Sequence, residues 1–172
     1  MNIQTDRLLF RRYSDEDFDF LHSLTADPEV MQYIGNGKTR DKDGALRFLY
    51  WVYKGYKENS ELGLMLLVRK EDGKPVGQAG LVPQKVDDKE ELEIGYWISR
   101  DFWGQGYATE AATVLRDYGL HSLKKERLVS LINPANTASR KVAENIGMKL
   151  EKKSLFSGQT IDVYAAHKEE TI

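Results

Sequence analysis

The residue types best suited to chemistry gather in one stretch, 93–112, which reads EIGYWISRDFWGQGYATEAA. A strand-like run leads into a loop holding Gly104 and Gly106, and the loop leads directly into a helix-like run. Glycines let a backbone turn tightly and come close to a ligand. The first N–H groups of a helix have no intrahelical partner and lie at the positive end of its dipole. Such a junction accepts an anion, and a diphosphate is its natural guest. The same spacing also fits an ordinary strand–turn–helix junction whose glycines serve only packing. Two other phosphate motifs are absent. There is no Gly-x4-Gly-Lys-[Ser/Thr] run and no Gly-x-Gly-x-x-Gly after the first strand, so the NTPase, kinase and dinucleotide readings lose their basis.

Trp103-Gly104-Gln105-Gly106-Tyr107-Ala108-Thr109-Glu110-Ala111 resembles the acyl-CoA pyrophosphate loop of the GNAT superfamily of N-acyltransferases. The closer resemblance is to its RimJ/RimL branch, which acetylates protein N-termini and related amines. Three further stretches are similar to that branch. They are Thr5-Asp6-Arg7-Leu8-Leu9, Asp27-Pro28-Glu29-Val30, and Asn133–Ser139 followed by Ile146-Gly147-Met148. The resemblance implies acetyl-CoA as cosubstrate. It implies two strands that splay apart, ending near Ser99 and Ile132, with the pantetheine arm between them against the backbone of Trp97 and Ile98. It places the pyrophosphate on Gly104, Gln105, Gly106, Tyr107, Ala108 and Thr109, and the Asn136 amide on the arm.

Three positions depart from the family's pattern. Trp103 stands where Gln or Arg is frequent, although Trp is common there in the RimJ/RimL branch. Met148 replaces the usual Phe, which is a packing change. Ala143 stands where many members carry a tyrosine that protonates the departing thiolate. Ser139, one helical turn earlier on the same face, resembles the serine that the RimJ/RimL branch offers for this role.

Amide formation needs a neutral amine. A free α-amino group, with a pKa near ~8, is partly neutral at pH 7, whereas lysine, near ~10.4, is almost wholly charged. Glu93 is the candidate base, acting through a water. A backbone N–H near Ile98 would stabilise the oxyanion. Each residue also has a plainer role. Glu93 could be a solvent-side residue of an alternating strand, Glu110 an acid favouring its helix dipole, and Asn136 and Ser139 a helix cap. The expected reaction is direct attack by a primary amine, from a protein N-terminus such as a ribosomal protein or from a small molecule. A non-catalytic acyl-CoA-binding module, suggested by Ala143, and a small protein-interaction domain are the competing readings.

The elements that must position these residues follow from periodicity. A strand is expected over 7–13. Helices follow, from a Ser14 cap with Phe18, Leu21 and Leu24 as its stripe, and from Asp27-Pro28 to Gly35. A longer helix over 42–59 carries Ala45, Phe48, Leu49, Val52 and Tyr56 at helical spacing, with Phe48, Val52 and Tyr56 as a core stripe. Tyr50, Trp51 and Tyr53 cannot share that face, so they line an acceptor pocket, form a dimer contact or extend the core. A three-strand meander is expected over 62–69, 75–83 and 91–99, with a hairpin turn at 71–74 and a polar, solvated loop at 84–89. A helix over 106–121, a strand over 127–132, a helix over 136–146 and strands over 148–156 and 160–166 complete the order. The expected architecture is α+β: one domain over 1–172, with a mixed, mostly antiparallel sheet of about seven strands and four to five helices on it.

Composition narrows the rest. Twenty-five Lys and Arg against 27 Asp and Glu give a net charge of −2, which argues against general attraction to nucleic acid or an anionic membrane. The absence of cysteine excludes disulfides, thiolate nucleophiles and iron–sulfur clusters. His22, His121 and His167 lie far apart without metal-ligand spacing, so no metal is expected. No apolar run has the length of a signal peptide or membrane span, and a cytoplasmic location is expected.

Overall fold

Seven strands form one open sheet in the order β1-β2-β3-β4-β5-β7-β6. They are β1 (Leu8–Arg12), β2 (Gly63–Arg69), β3 (Pro75–Val86), β4 (Lys89–Ile98), β5 (Arg127–Ile132), β6 (Lys149–Phe156) and β7 (Gln159–His167). Five α-helices occur among the described residues: α1 (Phe18–Ala26), α2 (Pro28–Met31), α3 (Lys42–Glu58), α4 (Tyr107–Asp117) and α5 (Thr137–Asn145). The computed structural model describes residues 2–170; Met1, Thr171 and Ile172, the ends of the expected 1–172 domain, lie outside them. The β4–β5 pair is parallel and every other neighbouring pair is antiparallel, which is the mixed α+β sheet expected.

Helix starts follow from their caps. The Asp41 carboxylate accepts the Gly44 N–H at 2.8 Å and opens α3. Asp27 does the same for α2 by accepting from Glu29. Ser14 caps differently from expectation. Its hydroxyl and N–H both donate to the Asp17 carboxylate, and a 3₁₀ turn over Asp15–Asp17 precedes α1. Ala45, Leu49, Val52 and Tyr56 form the buried stripe of α3. The Tyr56 hydroxyl then donates to the Leu64 carbonyl of β2, tying the helix to the sheet.

The expected loop at 84–89 is not a loop. Strand β3 runs to Val86 and β4 restarts at Lys89. Asp87 and Asp88, with φ of 51° and 63°, make a two-residue turn in the left-handed region, which aspartate tolerates. Gln84 and Lys85 read as a loop because polar residues on a strand's open face carry no apolar alternation. The acids there are neutralised from neighbouring strands: Lys152 pairs with Asp87 at 2.7 Å and Arg127 with Glu91 at 2.8 Å.

Adjacent strand residues point to opposite faces. Trp97 stacks on Phe48 of α3, and the Tyr96 hydroxyl reaches α5, so α3 and α5 cover opposite faces of the sheet. Helix α4 packs on β4 and β3 beside α5. The Arg116 guanidinium locks these two helices by donating to the carbonyl of Ile146, the residue that ends α5, at 2.7 Å.

Candidate active site

The parallel pair β4–β5 is where the sheet opens. Its ladder holds a single partnered position, Glu93 opposite Val129, and beyond it the strands part. Backbone groups that lose a ladder partner need another. The buried Ser130 hydroxyl donates to the Ile94 carbonyl at 3.0 Å, and the Leu131 N–H donates to the Glu93 carboxylate. Two side chains therefore stitch the opening where main-chain pairing stops.

A cleft of about 1020 Å³ passes through this opening. The ends of β4 and β5, the first turns of α4 and α5, the segment after α2, and Phe48 and Trp51 of α3 form its walls. Of the residues singled out from sequence, Glu93, Trp97, Ile98, Gly104, Gly106, Tyr107, Ala108, Thr109, Asn136 and Ser139 all border it. Gln105 does not; it is exposed on the loop.

At one end the wall is backbone. Gly104 and Gly106 have φ of 76° and 82°, and Gly106 is the N-cap of α4 with no side chain to occupy that helix's free N–H groups. The Tyr107 ring turns inward, edge-on to Phe102 and beneath the Arg7 guanidinium, so this residue can offer only its main chain. The exposed Trp103 donates from its indole N–H to the Ile98 carbonyl at 2.7 Å. That carbonyl is therefore already engaged, at a residue whose backbone was expected to meet the pantetheine arm. Glu110 lies outside the cleft. It accepts from Thr5 and from Arg7 Nε at 2.7 Å, and although burial pushes its pKa up, these partners hold it below the usual range.

On the α3 side, Glu93 is half-buried on the cleft floor and accepts from Gln84 Nε2 at 3.0 Å. Burial raises its pKa to about 7, outweighing the Gln84 and Leu131 hydrogen bonds that favour its anion. Across the opening, Asn136 caps α5. Its Oδ1 accepts the Ser139 N–H at 3.1 Å, and its Nδ2 donates to Ser139 Oγ at 3.1 Å. The capping reading and the site reading thus coexist: one N–H of the amide and the Ser139 hydroxyl proton stay available to the cleft. Ala143 is fully buried in the α5 core.

Sequence reasoning missed four residues. Tyr96 donates its hydroxyl to the Ser139 carbonyl at 3.0 Å, bridging β4 to α5, and burial pushes its pKa up so that it keeps its proton. Gln84 and Ser130 serve the opening as described above. Arg40 stands over Phe48 and Trp97. Tyr96 lay inside the Gly-loop stretch and its place on β4 was visible; nothing in sequence marked the other three. Phe48, expected in the core stripe, is half-buried against the core and also walls the cleft, where its ring stacks on Trp97 at 5.4 Å. Trp51 joins it there, Tyr50 is exposed, and Tyr53 donates to Asp15 at 2.7 Å.

Residues 7–149 match the Acetyltransferase (GNAT) domain. The chain belongs to the GNAT acetyltransferase family. The Bacillus subtilis (strain 168) protein YkkB, itself uncharacterized, is 37% identical over 161 residues, covering 93% of this chain and 92% of its own. The acetyltransferase from Agrobacterium tumefaciens str. C58 superposes with a TM-score of 0.82 at 28% identity, covering 97% of this chain and 94% of that one. The ribosomal L7/L12 α-N-protein acetyltransferase RimL, solved in complex with coenzyme A, has the same fold. Its TM-score is 0.77 at 17% identity, with 95% of each chain covered. The Bacillus licheniformis protein p20, named an uncharacterized N-acetyltransferase, is 30% identical over 167 residues, covering 94% of this chain and 92% of its own, and the family implies acetyl-CoA as cosubstrate. Among the described residues no helix is long and apolar enough to cross a membrane.

Proposed function

We propose that this enzyme, as one domain acting in the cytoplasm, transfers the acetyl group of acetyl-CoA to a primary amine by direct attack in a ternary complex. The observation that carries the reading is Glu93. Its carboxyl lies on the floor of the cleft where β4 leaves β5, with a pKa of about 7 and two neutral hydrogen-bond donors holding it. A base poised near the working pH is what neutralising an amine requires.

Acetyl-CoA supplies the activated acetyl group. Gly104, Gly106, Ala108 and Thr109 offer main chain to its pyrophosphate at the start of α4, where the glycine φ values leave the N–H groups uncovered. The fit is good, since no side chain caps that helix. Asn136 keeps one amide N–H for the pantetheine arm. Glu93 takes the amine's proton through a water as the nitrogen bonds to the thioester carbon. A backbone N–H near Ile98 stabilises the oxyanion. Ser139, whose oxygen already accepts from Asn136, gives its proton to sulfur as the carbon–sulfur bond breaks. Tyr96 positions Ser139 through the carbonyl it binds. The acceptor amine, from a peptide N-terminus or a small molecule, enters from the α3 face, where Glu93 and Trp97 both point.

The test is thiol release from acetyl-CoA with two acceptor pools, short peptides with free N-termini and small amines. Release above the acceptor-free rate in either pool supports the reading. Silence in both, with acetyl-CoA binding intact, would overturn it.

A further inference from the structure

We infer that Arg40 selects the acceptor, and that the acceptor amine carries an anionic group, a carboxylate or a phosphate, several bonds from the nitrogen. The inference rests on the acetyl-transfer reading of the same cleft and adds the acceptor's chemical class to it.

Arg40 lies just before α3 and is half-buried in the cleft wall. Its guanidinium sits 4.5 Å from the Phe48 ring centroid and 5.7 Å from that of Trp97, and these two rings stack on each other. The two rings hold the guanidinium by cation–π contact. They supply no anion. Among the described residues no carboxylate pairs with Arg40, and no oxygen accepts from its side-chain N–H groups.

Other half-buried guanidiniums behave differently. Arg69 pairs with Asp72 at 2.6 Å, Arg116 with Asp117 at 2.8 Å, and Arg127 with both Glu91 and Glu151. The acid next to Arg40 in sequence and the two that border the cleft have other partners. Asp41 accepts from Gly44, Glu29 from the Gln32 amide, and Glu93 from Gln84. Arg47, exposed, shares a shallow dent with Arg40 and adds a second positive charge. Burial alone shifts the Arg40 pKa, downward, with no acid to offset it.

A partly desolvated charge without a partner is costly, and proteins keep such charges where a ligand completes them. A guanidinium's five donors match two oxygens of a carboxylate or phosphate. The position sets the ligand's size. Trp97 lies four residues beyond Glu93 on the same strand face, about 13 Å away at ~3.3 Å per residue. An amine at Glu93 and an anion at Arg40 are therefore too far apart for a single α-amino acid. The distance suits a di- or tripeptide with a free C-terminus, or an aminoalkyl phosphate of similar reach.

The experiment compares steady-state acetylation of a tripeptide, the same tripeptide as its C-terminal amide, and an aminoalkyl phosphate of matched length. The expected result is a KM about tenfold lower for whichever anion Arg40 takes than for the amide. The Arg40→Gln variant loses that preference, and Arg40→Lys, which keeps charge but not the fork, recovers part of it. Circular dichroism and melting curves establish that the variants fold. Equal KM values for acids and amide in the parent enzyme would overturn the inference. So would an Arg40→Gln defect confined to the KM for acetyl-CoA. If no acceptor turns over, the same three compounds are titrated against tryptophan fluorescence. Anion binding that Arg40→Gln abolishes upholds the anion site while the acetyl-transfer reading fails; binding indifferent to charge sinks the inference.

Discussion

The two ends of the cleft are built from different materials. At the α4 end the wall is main chain: two glycines at positive φ and a helix start without a capping side chain. The polar side chains around it are satisfied, with Glu110 held by Thr5 and Arg7, and Trp103 bonded to Ile98. At the α3 end the wall is side chains: Glu93, Trp97, Phe48, Trp51 and Arg40. There burial shifts the charged groups, raising the pKa of the Glu93 carboxyl and lowering that of the Arg40 guanidinium, which no carboxylate among the described residues pairs with. A site that binds one invariant group, a diphosphate, can be made of backbone geometry. A site that must choose among amines has to be made of side chains. The proposed reaction places the chemistry at the second end and binding of the cosubstrate at the first.

That division can be broken by substitution. The largest effect is expected for Glu93→Gln, with kcat/KM falling about a hundredfold at pH 7. The parent rate should climb between about pH 6 and 8, because a carboxyl with a pKa of about 7 is protonated and inert as a base below that value and ionised above it. In the variant that inflection disappears from the pH–rate profile. The same group costs stability, with a definite sign. A carboxyl whose pKa is raised on folding keeps its proton while the unfolded chain, near 4.5, loses its own. Stability therefore declines from about pH 4.5 to about 7, and Glu93→Gln should melt a few degrees higher than the parent at pH 8. An unchanged profile and melting curve would move the chemistry away from Glu93.

Next comes Gly106→Val. It forces a β-branched residue to a φ of 82° at the start of α4, a strain of about 1–2 kcal/mol, and places a side chain over the helix N–H groups. Acetyl-CoA affinity, measured by titration calorimetry, should fall at least tenfold, while anion binding at the α3 end persists. Coupled loss at both ends would show that the division is not real.

Ser139→Ala should cut kcat several-fold and leave the KM for acetyl-CoA nearly unchanged. A KM effect alone would leave Ser139 as a capping residue. The smallest effect is expected for Glu110→Gln. It weakens the link between the N-terminal segment and α4, lowering the melting temperature by a few degrees, about 1 kcal/mol, with the pH–rate profile intact. A lost inflection there would make Glu110 the base instead.

How much of this was legible beforehand differs along the chain. The α4 end could be read because its determinants are neighbours in sequence: Gly104, Gly106 and the helix they open, or Asn136 and Ser139 three residues apart. Helical stripes were legible for the same reason, and α3 falls within a residue of its expected span. The hairpin at Asp87-Asp88 was not, since polar strand residues and polar loop residues have one composition. The second role of Phe48, as cleft wall, was not legible either, because helical spacing says which residues share a face, not whether that face also meets a cleft.

By itself, then, the sequence determined most of the elements, their order, the glycine loop that opens α4 and the family. Each depends on backbone preference or periodicity over a few residues. Only the tertiary structure decided where β4 leaves β5, that Ser130 binds a carbonyl 36 positions away, that Gln84 holds Glu93, and that Arg40 rests on Trp97 without an anion. Those are contacts between segments far apart in the chain. Their energies depend on burial and on which partners are left over, and neither exists until the sheet has closed around its core.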